Sequence, residues 1–317
     1  MGRKKRRSLL STLNLISWTL AALIWGGVAL WKYQPSPPAE TYSSVELRET
    51  PADPLFITGS KILPPKPPAV EEPAQSKPMA DERPVIALII DDFGPAWNQK
   101  LVDGFINLPF EITISVIPGN RTSVKVAQSA VKAGKEVFIH LPLEPEERIA
   151  LDERDMIMVG ASGEQVRKII DRVTDEIPEA VGINNHMGSK ATADPKLMEF
   201  LANSVRRKRL RYVDSRTSER SQALGAMMRE GVPAVGRDVF LDVRSDSASV
   251  AAQIHELASI AKRRGWAVGI GHVKQSTLAA VEAAFPLLEV EGFRFVGAGK
   301  LIDELGGEEG YKVAAKQ

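Results

Sequence analysis

The segment 85–94 constrains the fold of this chain more than any other stretch. It reads Val-Ile-Ala-Leu-Ile-Ile-Asp-Asp-Phe-Gly and follows Pro84. Six apolar residues are too few for a buried helix, and a β-branched run of this length is typical of a strand covered on both faces in a parallel sheet. Asp91 and Asp92 end the run, and burying their carboxylates is costly unless a cation or hydrogen bonds compensate.

The position of these aspartates leaves two interpretations open. The carboxyl ends of parallel strands are where α/β folds place their sites, so Asp91 and Asp92 indicate a metal site or an acid–base site. Alternatively, they cap the N-terminus of a following helix, a position that aspartate favours.

Strand-like and helical patterns alternate along the rest of the chain. Further strands are predicted at 112–116, 136–139, 181–183, 211–213, 267–270 and 293–296, with short strand-like pieces at 234–235 and 239–241. Helices are predicted at 123–133, 162–176, 194–208, 220–231, 247–264 and 276–288, and a long acidic loop at 141–160. This alternation predicts an α/β domain whose parallel sheet forms a distorted or incomplete (β/α) barrel of about seven strands.

Composition excludes several classes of protein. The absence of cysteine rules out a disulfide framework, a thiolate zinc site and a cysteine nucleophile. A formal net charge of +1 gives no overall field, so a nucleic-acid partner is not expected. Neither a Gly-x-Gly-x-x-Gly fingerprint nor a phosphate loop follows any predicted strand, which argues against a nucleotide site.

Residues 1–33 are predicted as a cytoplasmic basic tip followed by a transmembrane anchor. Arginines and lysines fill positions 3–7, and residues 8–31 carry no charge. The apolar part, 15–31, is near the lower limit of about 17 residues for a spanning helix. The basic flank before it and Trp31 at its end predict a single-pass protein of the cytoplasmic membrane with its domain on the periplasmic side. A cleaved signal peptide is the alternative.

The remaining boundaries follow from proline content and from where the alternation ends. Residues 34–83 contain the proline clusters Pro-Ser-Pro-Pro and Pro-Pro-Lys-Pro-Pro and are predicted as a disordered linker. The globular domain is placed at 84–305, and 306–317 is predicted as a flexible tail.

Polar residues recur where the predicted strands end. Besides the two aspartates, these are His140, His186, Asp214 and His272. In a parallel barrel such ends converge on one face, so the side chains are expected to lie together. Only four histidines are present, and the fourth, His255, lies inside a predicted helix. Imidazole and carboxylate donors together suit zinc or another borderline divalent ion.

Five ordered motifs resemble a known family. They are Ile-Ile-Asp-Asp-Phe-Gly at 89–94, Glu-Val-Phe-Ile-His-Leu-Pro-Leu-Glu-Pro at 136–145, Gly-Ile-Asn-Asn-His-Met-Gly-Ser at 182–189, Val-Asp-Ser-Arg-Thr at 213–217 and Gly-Ile-Gly-His at 269–272. Together they resemble the divergent polysaccharide deacetylases, distant relatives of the NodB-type carbohydrate esterases. The resemblance extends over about 84–305.

The resemblance implies roles for individual residues. By position, Asp91 corresponds to the general base, Asp92 to a metal ligand and His272 to the general acid. His140 matches the first ligand of a His-x-x-x-His pair. The second position of that pair is Glu144, so the missing ligand is expected from His186, with Glu144 as the alternative.

Other polar residues near these motifs are expected to have supporting roles. Asp214 and Arg216 fall where an orienting charged pair is expected, close to the ligands. Four residues of one turn are candidates for binding sugar hydroxyls or are simply turn residues with local hydrogen bonds: Asn184, Asn185, Ser189 and Lys190.

The function expected from these features is metal-dependent deacetylation of an N-acetylated envelope polysaccharide such as peptidoglycan. Its implied partners are that polysaccharide and, through residues 8–31, the membrane; its cofactor is a divalent metal, with zinc preferred. Two alternatives stay open. One is a non-catalytic glycan-binding or scaffolding protein on the same fold. The other is a glycoside hydrolase that pairs Asp91 or Asp92 with Glu144.

Overall fold

A single parallel sheet organises the part of the chain that the structure describes. In this computed structural model the described residues are 83–95, 98–147 and 156–306. The predicted anchor, nearly all of the predicted linker and tail, and the middle of the predicted acidic loop lie outside them. None of the described helices has both the length and the apolar character needed to cross a membrane.

Nine strands are present among the described residues. They are β1 (Val85–Phe93), β2 (Thr113–Val116), β3 (Glu136–Leu143), β4 (Gly182–Met187), β5 (Arg211–Asp214), β6 (Ala234–Gly236), β7 (Val239–Phe240), β8 (Trp266–His272) and β9 (Arg294–Val296). Their order in the sheet is β6-β5-β4-β3-β2-β1-β8-β7, and all pairs are parallel. Strand β9 pairs with the first residues of β1, below the segment that pairs with β2.

Eight helices connect or follow these strands within the described ranges. They are α1 (Gln99–Ile106), α2 (Ser123–Lys132), α3 (Gly163–Glu176), α4 (Pro195–Lys208), α5 (Ala223–Arg229), α6 (Ser247–Arg264), α7 (Gln275–Val290) and α8 (Ala298–Glu304). Helices α3, α4 and α6 begin and end as predicted, since their caps were visible in the sequence. Ser162 and Gln165 form a capping box, Asp194 caps the helix that starts at Pro195, and Gly265 ends α6 in the left-handed conformation.

The barrel is incomplete between β6 and β7, and one short segment crosses the gap. Arg237 donates its backbone N–H to Asp214 O of β5, and the next residue, Asp238, donates to Val268 O of β8, each at 2.9 Å. The segment therefore pairs with one side of the gap and then with the other. The predicted incomplete barrel is confirmed. It has nine strands rather than about seven, because the short pieces predicted at 234–235 and 239–241 also join the sheet, as β6 and β7.

Strand β1 shows how the barrel separates two apolar clusters. Val85, Ala87 and Ile89 belong to the inner cluster together with residues of β3, β5, β6, β8 and β9. The alternate residues 86, 88 and 90 pack in the larger cluster that also contains the surrounding helices. Two residues after Ile89, Asp91 continues the inward-facing row. Inward-facing side chains at the C-terminal ends of the strands therefore lie together at that end of the barrel.

Helix α8 closes the opposite, amino end of the barrel. Its residues Ala298, Leu301 and Ile302 belong to the inner cluster. Glu136, the first residue of β3, accepts a hydrogen bond of 2.8 Å from the N–H of Gly299 in the first turn of this helix. A carboxylate is favourable at a helix N-terminus, so this contact fixes α8 in place.

The structure differs from the predicted elements in several details. Strand β3 runs on to Leu143, three residues into the predicted loop at 141–160, because Leu141 and Leu143 are buried and paired with β4. The aspartates that end the first strand do not cap a helix, since they lie within β1, and α1 is capped by Asn98. Helices α1 and α8 were not predicted; they have eight and seven residues, too few for a clear helical period.

Candidate functional site

A distortion of β1 turns two successive aspartates towards the same place. In a regular strand, Asp91 and Asp92 would point to opposite faces of the sheet. Here the register with β2 shifts between Ile90 and Phe93, and Asp92 has a φ of 69°. Bulges of this kind re-aim side chains next to functional sites. As a result, His140 Nε2 lies 3.5 Å from Asp91 Oδ2 and 3.3 Å from Asp92 Oδ1.

Asp92, His140 and His186 form a group of three potential metal ligands. One donor atom from each lies within 4.8 Å of the others. Asp92 Oδ1 is 3.3 Å from His140 Nε2 and 3.2 Å from His186 Nδ1. This oxygen is buried and has no hydrogen-bond partner among the described residues. A buried carboxylate oxygen facing two imidazole nitrogens fits a divalent cation, which favours this donor set.

The two aspartates experience opposite electrostatic environments. Burial raises the pKa of the Asp91 carboxyl, and the nearby His140 and His272 offset only part of that effect. Burial also acts on Asp92, but the imidazoles of His140 and His186 outweigh it and hold the pKa of Asp92 well below its usual range. Asp92 therefore remains a carboxylate suited to a cation, while Asp91 is the better proton acceptor.

Asn184 on β4 holds Asp91 from inside the barrel. Its Nδ2 donates to both oxygens of Asp91, at 3.0 and 3.1 Å. Asn184 is fully buried and Asp91 is 2% exposed. The structure therefore uses Asn184 to bind an aspartate, and its amide does not lie on the surface where a sugar would bind.

His272, at the end of β8, completes the group. Its Nε2 lies 3.8 Å from Asp92 Oδ2, while its Nδ1 lies 2.7 Å from Asp242 Oδ1. Burial lowers the pKa of His272, but the hydrogen bond with Asp242 and the negative charges of Asp92, Asp242 and Asp91 together raise it by more. Asp242 was not identified from the sequence. It directly follows the predicted strand piece 239–241, so the same strand-end criterion could have found it.

Arg237 is a second residue that the sequence did not reveal. Its Nε donates to Ser215 O at 2.7 Å, its Nη2 to Arg216 O at 3.0 Å, and its guanidinium lies 4.8 Å from the centre of the Phe240 ring. It lies in the segment that crosses the barrel gap, where no periodic pattern marks an inward-facing position. Its positive charge is close enough to Asp91 to act on that carboxylate.

The predicted charged pair is present only in part. Asp214 Oδ1 accepts a hydrogen bond of 2.8 Å from the backbone N–H of Arg216, and Oδ2 accepts one of 2.7 Å from Ser221 Oγ. The carboxylate of Asp214 thus holds the turn after β5. The described contact is with the backbone of Arg216 and not with its guanidinium.

Glu144 is not part of the three-ligand group. Because β3 continues to Leu143, Glu144 lies beyond the end of the strand, four residues after His140. The carboxylate of Glu144 pairs with Lys190 and accepts a hydrogen bond of 2.6 Å from the N–H of Val159. Glu144 and Lys190 therefore tie the loops after β3 and β4 together.

Two further turn residues also make contacts within the protein. Ser189 Oγ accepts a hydrogen bond of 2.9 Å from the N–H of Glu146. Asn185 Oδ1 accepts one of 2.9 Å from the N–H of Ser215 and one of 3.3 Å from Tyr212 Oη. Asn185, next to the inward-facing Asn184, therefore joins the ends of β4 and β5. It has the role of a residue with local hydrogen bonds and not that of a sugar-binding residue.

Comparisons with known proteins agree with this fold and identify its family. The family model of the divergent polysaccharide deacetylases matches residues 88–302. The chain belongs to this family. An uncharacterized protein of Haemophilus influenzae is 32% identical over 216 residues, which is 68% of this chain and 76% of that protein. The uncharacterized protein YibQ of Escherichia coli is 32% identical over 197 residues, and the match spans 62% of this chain and 61% of that protein.

A solved structure shows the same fold at lower sequence identity. The crystal structure of an uncharacterized protein from Agrobacterium tumefaciens superposes with a TM-score of 0.65 and 23% identity, covering 69% of this chain and 89% of that chain. The likeness supports the incomplete parallel barrel described above.

Proposed function

We propose that this protein is a metal-dependent deacetylase of an N-acetylated polysaccharide of the cell envelope, such as peptidoglycan. One observation carries the proposal. A buried oxygen of Asp92, without a hydrogen-bond partner in the described part of the chain, faces nitrogens of His140 and His186. A candidate base and a candidate acid lie beside this group, and the family of the chain supports the same reaction class.

The residues that would hold the ion are Asp92, His140 and His186. Two imidazoles and one carboxylate match the donor sets of catalytic zinc sites, so zinc is the preferred ion. A divalent cation bound there supplies a Lewis acid for the amide carbonyl and lowers the pKa of water.

Asp91 is proposed as the general base. Its Oδ2 lies 3.5 Å from His140 Nε2, which places the carboxylate beside the ligand group. Because burial raises its pKa, Asp91 accepts a proton more readily than an exposed aspartate does. Its proposed task is to remove a proton from the attacking water.

His272 is proposed as the general acid. Asp242 accepts a hydrogen bond from Nδ1–H of His272, and the other ring nitrogen, Nε2, lies 3.8 Å from Asp92 Oδ2 in the site. Since Asp242 raises the pKa of His272, the imidazolium form is retained closer to neutral pH. From Nε2 a proton is delivered to the leaving amine of the sugar.

A second candidate, glycan binding without turnover, is favoured by one feature. The second position of the expected His-x-x-x-His pair holds Glu144, whose carboxylate bonds to Lys190 and Val159. A site that binds glycans without hydrolysing them would keep the groove and release no acetate. Because the Glu144 carboxylate is bonded to Lys190 and Val159, it is not free to act with Asp91 or Asp92 as a catalytic pair, and this disfavours the glycoside hydrolase.

The test combines metal content with acetate release from full-length protein purified in detergent. We expect one divalent ion per chain in the wild type, loss of the ion in His186→Ala, and retention of the ion without activity in Asp91→Asn. His255→Ala is the matched control, because His255 is an exposed residue of α6. Acetate release from N-acetylated glycans marks the deacetylase. A bound ion without acetate release from any such glycan would favour the binding protein, and absence of the ion would refute the metal site.

The location of the protein is also a proposal. We infer from residues 1–33 that a single span holds the domain on the periplasmic side of the cytoplasmic membrane. Deleting residues 1–35 should leave a folded protein in the supernatant after ultracentrifugation without detergent. Continued sedimentation with the membrane, or loss of cooperative unfolding, would contradict an anchor followed by a linker.

A further inference from the structure

A chain of buried polar side chains leads from β2 to Asp91 through the barrel interior. Ser115 Oγ donates to Asn184 Oδ1 at 2.5 Å, and Asn184 Nδ2 donates to the two oxygens of Asp91 at 3.0 and 3.1 Å. Asn184 Nδ2 also lies 3.3 Å from Ser215 Oγ. Ser115 and Asn184 are fully buried, and Ser215 is 2% exposed.

Ser115 determines which end of the Asn184 amide faces Asp91. The carboxamide has an accepting oxygen and a donating nitrogen, whereas an ionised carboxylate only accepts. The hydroxyl of Ser115 donates to the oxygen end, which leaves the two N–H bonds for Asp91 and Ser215. Without this hydroxyl, the buried Oδ1 of Asn184 would lose the one hydrogen-bond donor that the described contacts give it. If the amide then rotated by half a turn, its oxygen would lie against the Asp91 carboxylate.

Neither residue belongs to the group that would hold the ion. That group consists of Asp92, His140 and His186. Asn184 contacts the other aspartate, Asp91, from the barrel interior, and Ser115 contacts Asn184. Removing their hydrogen bonds should therefore disturb the orientation of Asp91 and leave the ion in place.

We propose that Ser115 and Asn184 are positioning residues, and that Ser115 acts on the reaction only by fixing the amide that holds Asp91. The proposal rests on the proposed function, in which Asp91 is the base. The two hydrogen bonds to Asn184 fix the plane of the Asp91 carboxylate, so that its Oδ2 is held 3.5 Å from His140 Nε2. General-base catalysis depends on this kind of alignment.

The decisive variant is Ser115→Ala in the full-length protein. We expect kcat for acetate release to fall about tenfold, because misplacing a catalytic group by a fraction of an ångström is costly. The KM and the metal content should stay at wild-type values. Ser115→Thr restores the hydroxyl and should recover most of the lost kcat.

The same strand provides a matched control. Thr113 lies two residues earlier on β2, is fully buried, and donates its hydroxyl to Glu136 Oε1 at 2.8 Å, at the closed end of the barrel. Thr113→Val removes this buried hydrogen bond and a second one, which the hydroxyl accepts from the Ala298 N–H at 2.8 Å, and it should lower the unfolding temperature without lowering kcat. If it lowers kcat as much as Ser115→Ala does, the effect is general destabilisation and the proposal fails.

A crystal structure of Ser115→Ala gives a measurement that does not depend on activity. We expect a rotated Asn184 amide or Asp91 carboxylate, with Asp92, His140 and His186 unmoved. Unchanged positions of both side chains, or wild-type kcat, would overturn the positioning role while leaving the deacetylase intact. No acetate release by the wild type, or full activity of Asp91→Asn, would instead refute the proposed function or its base, and the positioning role with it.

Discussion

Asp242 and His272 form a pair in which Oδ1 of the aspartate lies 2.7 Å from Nδ1 of the histidine. The side chain of Asp242 is fully buried. Its other oxygen accepts hydrogen bonds from the His272 N–H at 2.8 Å and from Thr277 Oγ1 at 2.7 Å. The pair fixes the tautomer of His272, because the carboxylate requires the proton on Nδ1. It is the strongest orienting contact of the candidate acid.

Replacing Asp242 by asparagine should abolish most turnover and leave the metal bound. An amide in this position can stabilise the wrong tautomer, and general acid–base catalysis contributes about 10²- to 10⁴-fold. We therefore expect Asp242→Asn to lower the rate of acetate release by about 100-fold, with unchanged metal content. Asp246→Asn is the control, since Asp246 caps α6 in an exposed position. Equal losses in both variants would show that the loss is not specific to the pair.

The stability of the protein should depend on the ionisation of Asp242 at low pH. Burial raises its pKa, but hydrogen bonds from His272 and Thr277 prevail and lower the pKa from 3.8 to about 2. Since the folded pKa lies below the unfolded one, the folded state favours the carboxylate. The resulting stabilisation, about 2 kcal/mol, is present above about pH 4 and is lost as the pH falls through about 2.

Urea unfolding of the wild type and Asp242→Asn at two pH values measures this dependence. The variant has no carboxyl group at this position, so the difference in unfolding free energy reports on Asp242. We expect that difference to shrink by about 1 kcal/mol between pH 6 and pH 3. A difference that does not change with pH would show that the carboxylate is not stabilised in the folded state.

The turn after β5 stores backbone strain that can be measured. Arg216 is exposed and has a φ of 48°, a left-handed conformation that costs about 1 kcal/mol for a residue with a β-carbon. Arg216→Gly should therefore be about 1 kcal/mol more stable in urea than Arg216→Ala. The same two substitutions at Arg207, exposed within α4, should show the opposite order, because glycine weakens a helix. The same order at both positions would refute the strain.

The long strands could be predicted, and with them the residues at their ends. Asp91, His140 and His272 directly follow apolar runs, His186 follows the short strand pattern at 181–183 by three residues, and the structure brings all four together at one end of the barrel. Asp242 could have been found in the same way, since it directly follows the predicted piece 239–241. Arg237 could not, because it lies between β6 and β7, whose three and two residues are too few to show an alternation. The pairing of these strands across the gap depends on distant backbone groups that no local pattern reveals.

Ser115 shows a different limit of the sequence. A single serine within an apolar strand has no feature that marks it as functional. The role of Ser115 depends on Asn184, which lies 69 positions further along the chain. The contrast between Asn184 and Asn185 could have been anticipated, since neighbouring strand residues point to opposite faces. Only one of them continues the inward-facing row of β4.

The path of β3 leads to a last prediction about the third metal ligand. Restoring the expected motif by Glu144→His should not create a ligand. The strand continues to Leu143, and position 144 faces Lys190 and the N–H of Val159 at the rim. We expect Glu144→His to bind one ion per chain with the affinity of the wild type, because Asp92, His140 and His186 remain in place.

The double variant His186→Ala/Glu144→His separates the two candidate ligands. If His186 supplies the third donor, the double variant should be as metal-free as His186→Ala when the ion is measured by mass spectrometry after dialysis. Glu144→Gln provides the control, since it removes the charge at position 144 and should keep the ion. Recovery of the ion in the double variant would place position 144 within reach of the site and would show that the loop after β3 rearranges around the metal.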